Sequence, residues 1–308
     1  MKKVLILGST GSIGKSVLDI ISKNKDKFQV VGLTTKLNTD ILRQQVKQYD
    51  VNCVCVSNMR GKIDFPVKKV FYGEEGLQEI IKFTNPDIIV NAVVGICGLK
   101  PLLCAIEQNI PIIAVANKES IITGGEIVNK KLKSSKSKII PVDSEHSAIF
   151  QCLKNEKLED VKRIILTASG GPLFRKKKVF TDVESIVNHP VWKMGKKISV
   201  DSATLVNKAF EYIEAHYLFN IPYEKIDIII HPQSLVHSLV EFKDNNILAL
   251  ISEPDMRLPI SYALMYPERM QLNIKQIMSL NVFKCLIHKC CTVNRNFFTH
   301  LPNRMVHN

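Results

Sequence analysis

The sequence predicts an α/β protein, with an N-terminal, doubly wound, Rossmann-type parallel sheet followed by an α+β domain. Short apolar runs alternate with helical stretches over about the first 145 residues, and the first run enters a glycine-rich turn. Such alternation builds parallel sheets, because each parallel crossover needs a helix. Further on, strands predominate. We place three segments, at 1–146, 147–275 and 276–308.

The composition is that of a globular protein, with 45% hydrophobic and 23% charged residues. No apolar run reaches the roughly 18 residues of a membrane span. The apolar run before Gly8 is too short for a secretion signal, so we expect a cytoplasmic protein without a membrane partner.

The net charge of +13 raises the alternative of nucleic-acid binding. However, the lysines are scattered and the aromatic residues show no stacking pattern, which favours a lysine-rich surface and an anionic substrate.

The eight cysteines lie mostly singly in apolar segments, as buried free thiols do. Cys285, His288, Cys290 and Cys291 cluster, but their spacing is not that of a zinc site.

The first predicted strand, residues 3–7, leads into glycines at positions 8, 11 and 14 and then a helix over 13–22. A strand, a glycine turn and a helix N-terminus in this order form a phosphate-binding cradle, because free N–H groups point at the anion. A plain tight turn is the alternative.

The second predicted strand, residues 29–35, ends in Thr34 and Thr35 and is followed by Lys36 and Asn38. An acidic residue here would hold the ribose 2′-hydroxyl of NAD. Hydroxyls and a cation fit a 2′-phosphate instead, so NADP(H) is favoured. Further strands are predicted at 52–56, 88–94, 111–116 and 138–142.

Polar clusters follow two of these strands, at 117–120 and 143–146. On an extended segment the carboxylates of Asp143 and Glu145 would face the same side, and two such groups repel unless a cation lies between them. Oxygen ligands favour Mg²⁺ or Mn²⁺, and Glu211 is the candidate third ligand. The alternative is that these acids cap a helix.

A helix is predicted to begin near Asp201 and Ser202, which are good N-cap residues. Its apolar arc comprises Leu205, Val206, Ala209, Phe210, Ile213 and Tyr217, and its opposite arc comprises Asn207, Lys208, Glu211 and Glu214. The chemically specific polar arc suggests a site, whereas a solvated polar face is the alternative.

The second half also predicts strands at 164–168, 226–230, 237–242 and 247–252. Ser169, before two glycines, is a candidate anion contact, with a glycine turn as the alternative of equal weight.

Several stretches together resemble the 1-deoxy-D-xylulose 5-phosphate reductoisomerase family: GSTGSIG, ANKES, PVDSEHSAIFQ, TASGGP, HPVWKMGKKISVDSATLVNKAFEYIEAHYLF, HPQSLVHSLVEF and PDMRLPISYALMYPER. They span about Lys3 to Met270. The remaining 38 residues do not resemble the linker and helical domain that follow in the family. We therefore expect an aberrant tail over 276–308 in place of that domain, from a shifted reading frame or an early stop.

The resemblance implies an NADPH-binding domain over 1–146, a catalytic domain over 147–275, and the residues of each site. The metal ligands would be Asp143, Glu145 and Glu211, which with Lys118 form the catalytic set. The substrate and its phosphate would meet Lys118, Ser144, Glu145, Ser169, His189, Trp192, Met194, Ser202, Asn207, Lys208 and Glu211. NADPH would meet Thr10, Gly11, Ser12, Ile13, Lys36, Asn38, Asn117, Glu119 and Gly195. The residues Lys36 and Leu37 depart from the family pattern, which shifts or weakens the 2′-phosphate contact.

The implied activity is the NADPH- and divalent-metal-dependent isomerisation and reduction of 1-deoxy-D-xylulose 5-phosphate to 2-C-methyl-D-erythritol 4-phosphate, for isoprenoid precursor synthesis. The resemblance also implies a homodimer. The alternatives are an inactive truncated relic, an NADP-dependent dehydrogenase acting on another phosphorylated substrate, and a basic nucleic-acid-binding or scaffold protein.

Overall fold

The computed structural model describes residues 1–58, 63–171, 200–202, 204–275, 277 and 291–292. The chain divides into two compact units. The first comprises Met1–Asp143 and Met256–Met270, and the second comprises Ser144–Asp255 and the described residues beyond Met270. The functions predicted for segments 1–146, 147–275 and 276–308 stay predictions.

The first unit contains a seven-stranded parallel sheet with the order β4-β3-β2-β1-β5-β6-β7. Its strands are β1 (Lys2–Leu7), β2 (Phe28–Thr35), β3 (Cys53–Val56), β4 (Lys69–Tyr72), β5 (Ile88–Asn91), β6 (Ile112–Val115) and β7 (Lys138–Pro141). The strand order reverses at β1, which pairs with both β2 and β5. Ligands of doubly wound sheets bind beyond the carboxyl ends of the strands at such a reversal.

The connecting helices are α1 (Ser12–Ser22), α2 (Thr39–Tyr49), α3 (Gly73–Thr84), α4 (Leu99–Glu107) and α5 (Lys118–Leu132). They cover β1 so completely that Val4, Leu5, Ile6 and Leu7 are fully buried. Strands buried on both faces read as continuous apolar runs, which is why the sequence pattern identified them.

The second unit contains a five-stranded mixed sheet with the order β11-β10-β8-β9-β12. Its elements are α6 (Ser144–Cys152), β8 (Val161–Ala168), α7 (Val206–Phe219), β9 (Ile226–Ile230), β10 (Val236–Phe242), β11 (Ile247–Ile251) and β12 (Cys291–Thr292). Helices α6 and α7 cover one face of this sheet, where Ile149 of α6 and Tyr212 of α7 pack with Ile164 and Val240. This packing brings two helices with polar residues side by side.

Helix α8 (Arg257–Met265) belongs to the first unit, where it packs on α1. The guanidinium of Arg257 lies 3.8 Å from the carboxylate of Asp19.

Most predicted elements are confirmed, with differences at their ends. Strand β4 was not predicted, and the strand predicted over 88–94 ends at Asn91. Among the described cysteines, Cys53, Cys55 and Cys104 are buried free thiols, as expected, and burial raises the pKa of Cys53 and Cys55 to about 12. No described helix combines the length and the apolar character needed to cross a lipid bilayer.

Candidate functional site

The glycine turn between β1 and α1 is a close crossing of backbone segments. Gly8 has a φ of +82°, and a Cβ on it would lie 2.6 Å from the carbonyl oxygen of Ala92. A Cβ on Gly14 would lie 2.5 Å from the carbonyl oxygen of Gly8. Helix α1 then begins at Ser12 with no acidic residue in its first turn and no side-chain cap. Its free N–H groups and positive dipole end therefore suit a phosphate, as predicted for Gly11, Ser12 and Ile13.

The end of β2 is tied to this turn through hydroxyl groups. The Oγ1 atoms of Thr10 and Thr35 are 2.8 Å apart and share a hydrogen bond, and the backbone N–H of Asn38 donates to Thr35 Oγ1 over 3.2 Å. Both threonines are buried, whereas Lys36 and Asn38 are exposed. The buried hydroxyl groups are engaged within the protein, so the 2′-phosphate contact assigned to Lys36 and Asn38 stays a prediction.

Asn117, a predicted cofactor residue, uses its whole side-chain amide inside the first unit. Its Nδ2 donates to the carbonyl oxygens of Val93 and Gly95, and its Oδ1 accepts from the backbone N–H and hydroxyl of Ser120. An asparagine amide has two donors and two acceptor sites, so all four are used. The side chain caps α5 and holds the 93–95 segment. The next predicted cofactor residue, Glu119, is half-buried in the first turn of α5.

The capped helix α5 places Lys118 against the end of β7. Lys118 is only 8% exposed, and its Nζ lies 2.9 Å from Oδ2 of Asp143. A buried ammonium is retained only where a carboxylate compensates its lost hydration. Lys118 therefore contacts a predicted metal ligand, and its place beside the reacting centre stays a prediction.

The three predicted metal ligands lie together. One carboxylate oxygen from each of Asp143, Glu145 and Glu211 falls within 4.8 Å of the others. However, the extended geometry predicted for Asp143 and Glu145 is wrong, because α6 begins at Ser144 and places Glu145 in its first turn. Acidic groups are favourable at this position because the helix dipole is positive there.

Helix α7 supplies the third carboxylate and an ammonium group. The Nζ of Lys208 donates to Glu211 and, over 2.8 Å, to Oε1 of Glu145, while Asn207 Nδ2 donates to Glu211 Oε1. The other oxygen of Glu145 accepts from the hydroxyl of Ser144. The three carboxylates of the cluster offer only oxygen ligands. This donor set fits Mg²⁺ or Mn²⁺.

The expectation for the start of α7 is corrected. Residues 200–202 are helical, as predicted near Asp201 and Ser202, but α7 itself begins at Val206, after Leu205 in the left-handed conformation at a φ of 60°. The backbone N–H of Leu205 bonds to the carbonyl of Ser202, which closes a separate turn before the helix.

The polar arc of α7 is buried, which excludes the alternative of a solvated polar face. Lys208, Glu211 and Glu214 are 4%, 1% and 2% exposed, whereas the apolar Val206 is 40% exposed. Salt bridges and hydrogen bonds to α6 compensate for the burial of these charges.

His146 and Glu214 were not predicted as site residues. The Nε2 of His146 bonds to the backbone carbonyl of Glu211 over 3.0 Å, and its Nδ1 lies 3.3 Å from Oε2 of Glu214. The imidazole is fully buried, and these two contacts join α6 to α7. The sequence signal was available, because Glu214 lies one turn after Glu211 on the polar arc.

Of the remaining predicted residues, Ser169 and Ser202 are described and four others lie outside the described residues. Ser169 is half-buried before Gly170 and Gly171, whose φ values of 84° and 68° form a glycine turn, and its Oγ accepts from the N–H of Gly171 over 3.3 Å. Ser202 is also half-buried. His189, Trp192, Met194 and Gly195 lie outside the described residues.

Sequence models of one family match most of the chain. The model of 1-deoxy-D-xylulose 5-phosphate reductoisomerase matches residues 4–125, and two models of C-terminal domains of that enzyme match residues 139–219 and 251–290. The match therefore extends to residue 290, beyond Met270, where the resemblance was expected to end.

Curated relatives carry the same name. The 1-deoxy-D-xylulose 5-phosphate reductoisomerase of Caldanaerobacter subterraneus subsp. tengcongensis is 50% identical over 278 residues, which are 87% of this chain and 72% of that protein. The enzyme of Thermodesulfovibrio yellowstonii is 49% identical over 88% of this chain and 72% of its own length.

Solved structures of similar proteins include ligand complexes. A DOX-P reductoisomerase bound to NADPH, fosmidomycin and magnesium superposes with a TM-score of 0.84 at 34% identity, covering 96% of this chain and 76% of that one. The 1-deoxy-D-xylulose 5-phosphate reductoisomerase of Zymomonas mobilis bound to NADPH gives a TM-score of 0.81 at 37% identity, covering 95% and 76%.

Proposed function

Because the chain belongs to the 1-deoxy-D-xylulose 5-phosphate reductoisomerase family, we propose that it converts 1-deoxy-D-xylulose 5-phosphate into 2-C-methyl-D-erythritol 4-phosphate with NADPH and Mg²⁺ or Mn²⁺. The observation that carries the proposal is the carboxylate cluster of Asp143, Glu145 and Glu211. Such a cluster would hold a divalent cation that can chelate a ketone and a vicinal hydroxyl, which supports an isomerisation at these groups beyond a simple hydride transfer.

When bound, the divalent cation would polarise the ketone and hold the neighbouring hydroxyl, and NADPH would supply the hydride. Asp143, Glu145 and Glu211 would hold the cation. Lys118 and Ser144, which contact Asp143 and Glu145, would lie next to the reacting carbons. The contacts of each side chain and the family pattern support these roles.

The substrate phosphate is assigned to groups of the second unit. Asn207 and Lys208 present an amide and an ammonium at the start of α7, and Ser169 and Ser202 add hydroxyls. His189 is assigned to the same role by the family pattern alone. Binding energy from a remote phosphate can be used to orient the reacting carbons.

The NADPH site is assigned to the first unit. The glycine turn at Thr10, Gly11, Ser12 and Ile13 would receive the pyrophosphate, and Lys36 and Asn38 the 2′-phosphate. Since the amide of Asn117 is fully used within the protein, we assign its cofactor contact to its backbone. We further propose a homodimer and a cytoplasmic location.

The test is the decay of NADPH absorbance on the purified full chain with 1-deoxy-D-xylulose 5-phosphate and Mg²⁺ or Mn²⁺, followed by addition of a chelator. Turnover that stops with the chelator is the expected result. Turnover that the chelator leaves unchanged would favour a metal-independent NADP-dependent dehydrogenase. A folded protein that binds NADPH but does not turn over would favour an inactive relic.

A further inference from the structure

Gln45 is a buried polar residue on α2 to which no role has been given. It is 7% exposed and lies between the apolar Leu42 and Val46 on the buried side of the helix. Its Nε2 donates to the carbonyl oxygen of Ser9 over 3.0 Å, and its Oε1 accepts from the Ser9 hydroxyl over 2.7 Å. Both ends of one buried amide therefore bind a single residue of the glycine turn.

This arrangement holds Ser9 from two sides. The backbone N–H of Ser9 donates to the carbonyl oxygen of Thr34 over 2.9 Å, and the N–H of Gly8 donates to Thr34 Oγ1 over 2.9 Å. Strand β2 thus fixes the N–H side of the turn, and Gln45 fixes its carbonyl side. Ser9 is fully buried and Gln45 is 7% exposed, so the side chains of these two residues are not placed to contact a bound cofactor.

A role in packing alone does not account for a glutamine at this position. An amide costs free energy when it is buried, and that cost is offset only where its hydrogen bonds are made. An apolar residue of similar volume would fill the same space between Leu42 and Val46 without that cost. The amide adds a fixed position for the Ser9 carbonyl, and through it for Thr10 and Gly11, which follow directly.

We propose that Gln45 is a positioning residue, which holds the glycine turn in the conformation that receives the pyrophosphate of NADPH. The inference rests on the proposed function, because it concerns the same cofactor. It adds a residue on α2 to the determinants of cofactor affinity.

The experiment compares Gln45→Met, which keeps the volume and removes both hydrogen bonds, with Gln44→Met, an exposed neighbour on the same helix. Isothermal titration calorimetry on the full chain measures the affinity for NADPH and for adenosine 2′-monophosphate, which lacks the pyrophosphate. For Gln45→Met we expect the Kd for NADPH to rise about tenfold, as for the loss of one to two buried hydrogen bonds, with the Kd for adenosine 2′-monophosphate unchanged. The control variant should bind both ligands as the wild type does.

An unchanged Kd for NADPH in folded Gln45→Met would overturn the proposal, and so would an equal loss for both ligands, which would indicate general loosening of the unit. If Gln45→Met does not fold, Gln45→Leu decides by the same comparison, because it also removes both hydrogen bonds and adds no charge to the buried site. If the wild-type protein does not bind NADPH, that result would contradict the proposed function itself. If the wild-type protein binds NADPH and Gln45→Met binds it with the same Kd, that result would contradict only the role proposed for Gln45.

Discussion

The ammonium group of Lys208 donates a hydrogen bond to the carboxylate of Glu211, one turn further along α7. The same nitrogen also lies 2.8 Å from Glu145, so one positive charge stands between two acidic groups. Lys208 and Glu211 are 4% and 1% exposed. Charges with so little water around them interact strongly, so the removal of either one leaves its partner buried without compensation.

Replacing Lys208 with methionine should therefore make the protein more dependent on a divalent cation. Glu145 and Glu211 would repel without the ammonium, so the metal-free variant should be destabilised by about 3 kcal/mol, as for a broken buried ion pair. Added Mg²⁺ should raise its melting temperature more than it raises that of the wild type. Thermal melts with and without Mg²⁺ measure both effects. Lys243→Met, on the exposed turn after β10, is the control, and an equal Mg²⁺ response in the two variants would contradict the prediction.

Replacing Glu211 with glutamine should weaken metal binding while it preserves side-chain shape. A neutral amide loses the attraction to a divalent cation and leaves Lys208 with one carboxylate fewer. Because even residues that only support metal ligands account for 10- to 100-fold effects, we expect kcat/KM to fall by at least about a hundredfold. Steady-state rates over a range of Mg²⁺ concentrations measure the loss. Glu224→Gln, an exposed change in the same unit, should leave the rate unchanged, and near-wild-type activity in Glu211→Gln would remove Glu211 from the ligands.

The sequence predicted the composition of the carboxylate cluster better than its geometry. Asp143 and Glu145 were singled out by their spacing after a predicted strand, and Glu211 by its place on the polar arc of the predicted helix. Their local structure was ambiguous, since Ser144 is both a good helix start and compatible with an extended segment. The periodicity of α7 separated its two arcs but did not indicate which of them is buried. That depends on α6, whose polar residues pair with those of α7.

Other features depend on backbone conformations that residue type does not indicate. Leucine rarely adopts a positive φ, so the start of α7 at Leu205 was not predictable from its sequence. Strand β4 has four residues and lies at the edge of its sheet, so it lacks the long apolar run of a central strand. The link between Gln45 and Ser9 joins residues 36 apart in the chain, and no local pattern indicates it.

The glycine turn should not tolerate a side chain at Gly14. A Cβ there would lie 2.5 Å from the Cα of Ser9, where the neighbour is backbone and cannot rotate away. We expect Gly14→Ala to lower the free energy of unfolding by about 1–3 kcal/mol, as overpacking does, and to weaken NADPH binding. Gly11→Ala is the matched control for folding, since its nearest contact would be 3.4 Å and its φ is −78°. Urea unfolding measures the free energy of unfolding of both variants. Equal values would contradict the close backbone contact at Gly14.

His231 should make the second unit less stable in mild acid. It is 3% exposed, and burial lowers its pKa below the ordinary value of 6.5. Its Nε2 accepts from the backbone N–H of Leu235 over 3.2 Å, which only a ring with an unprotonated Nε2 does. As the pH falls below 6.5, the unfolded chain takes up a proton that the folded chain does not, so the free energy of unfolding decreases by up to about 1.4 kcal/mol per pH unit until the folded pKa is reached. In His231→Gln an amide oxygen can accept the same hydrogen bond without titrating, so this part of the pH dependence should disappear. Urea unfolding of both proteins at about pH 7.5, 6.5 and 5.5 tests this, and parallel pH profiles of the two would show that His231 is not the titrating group.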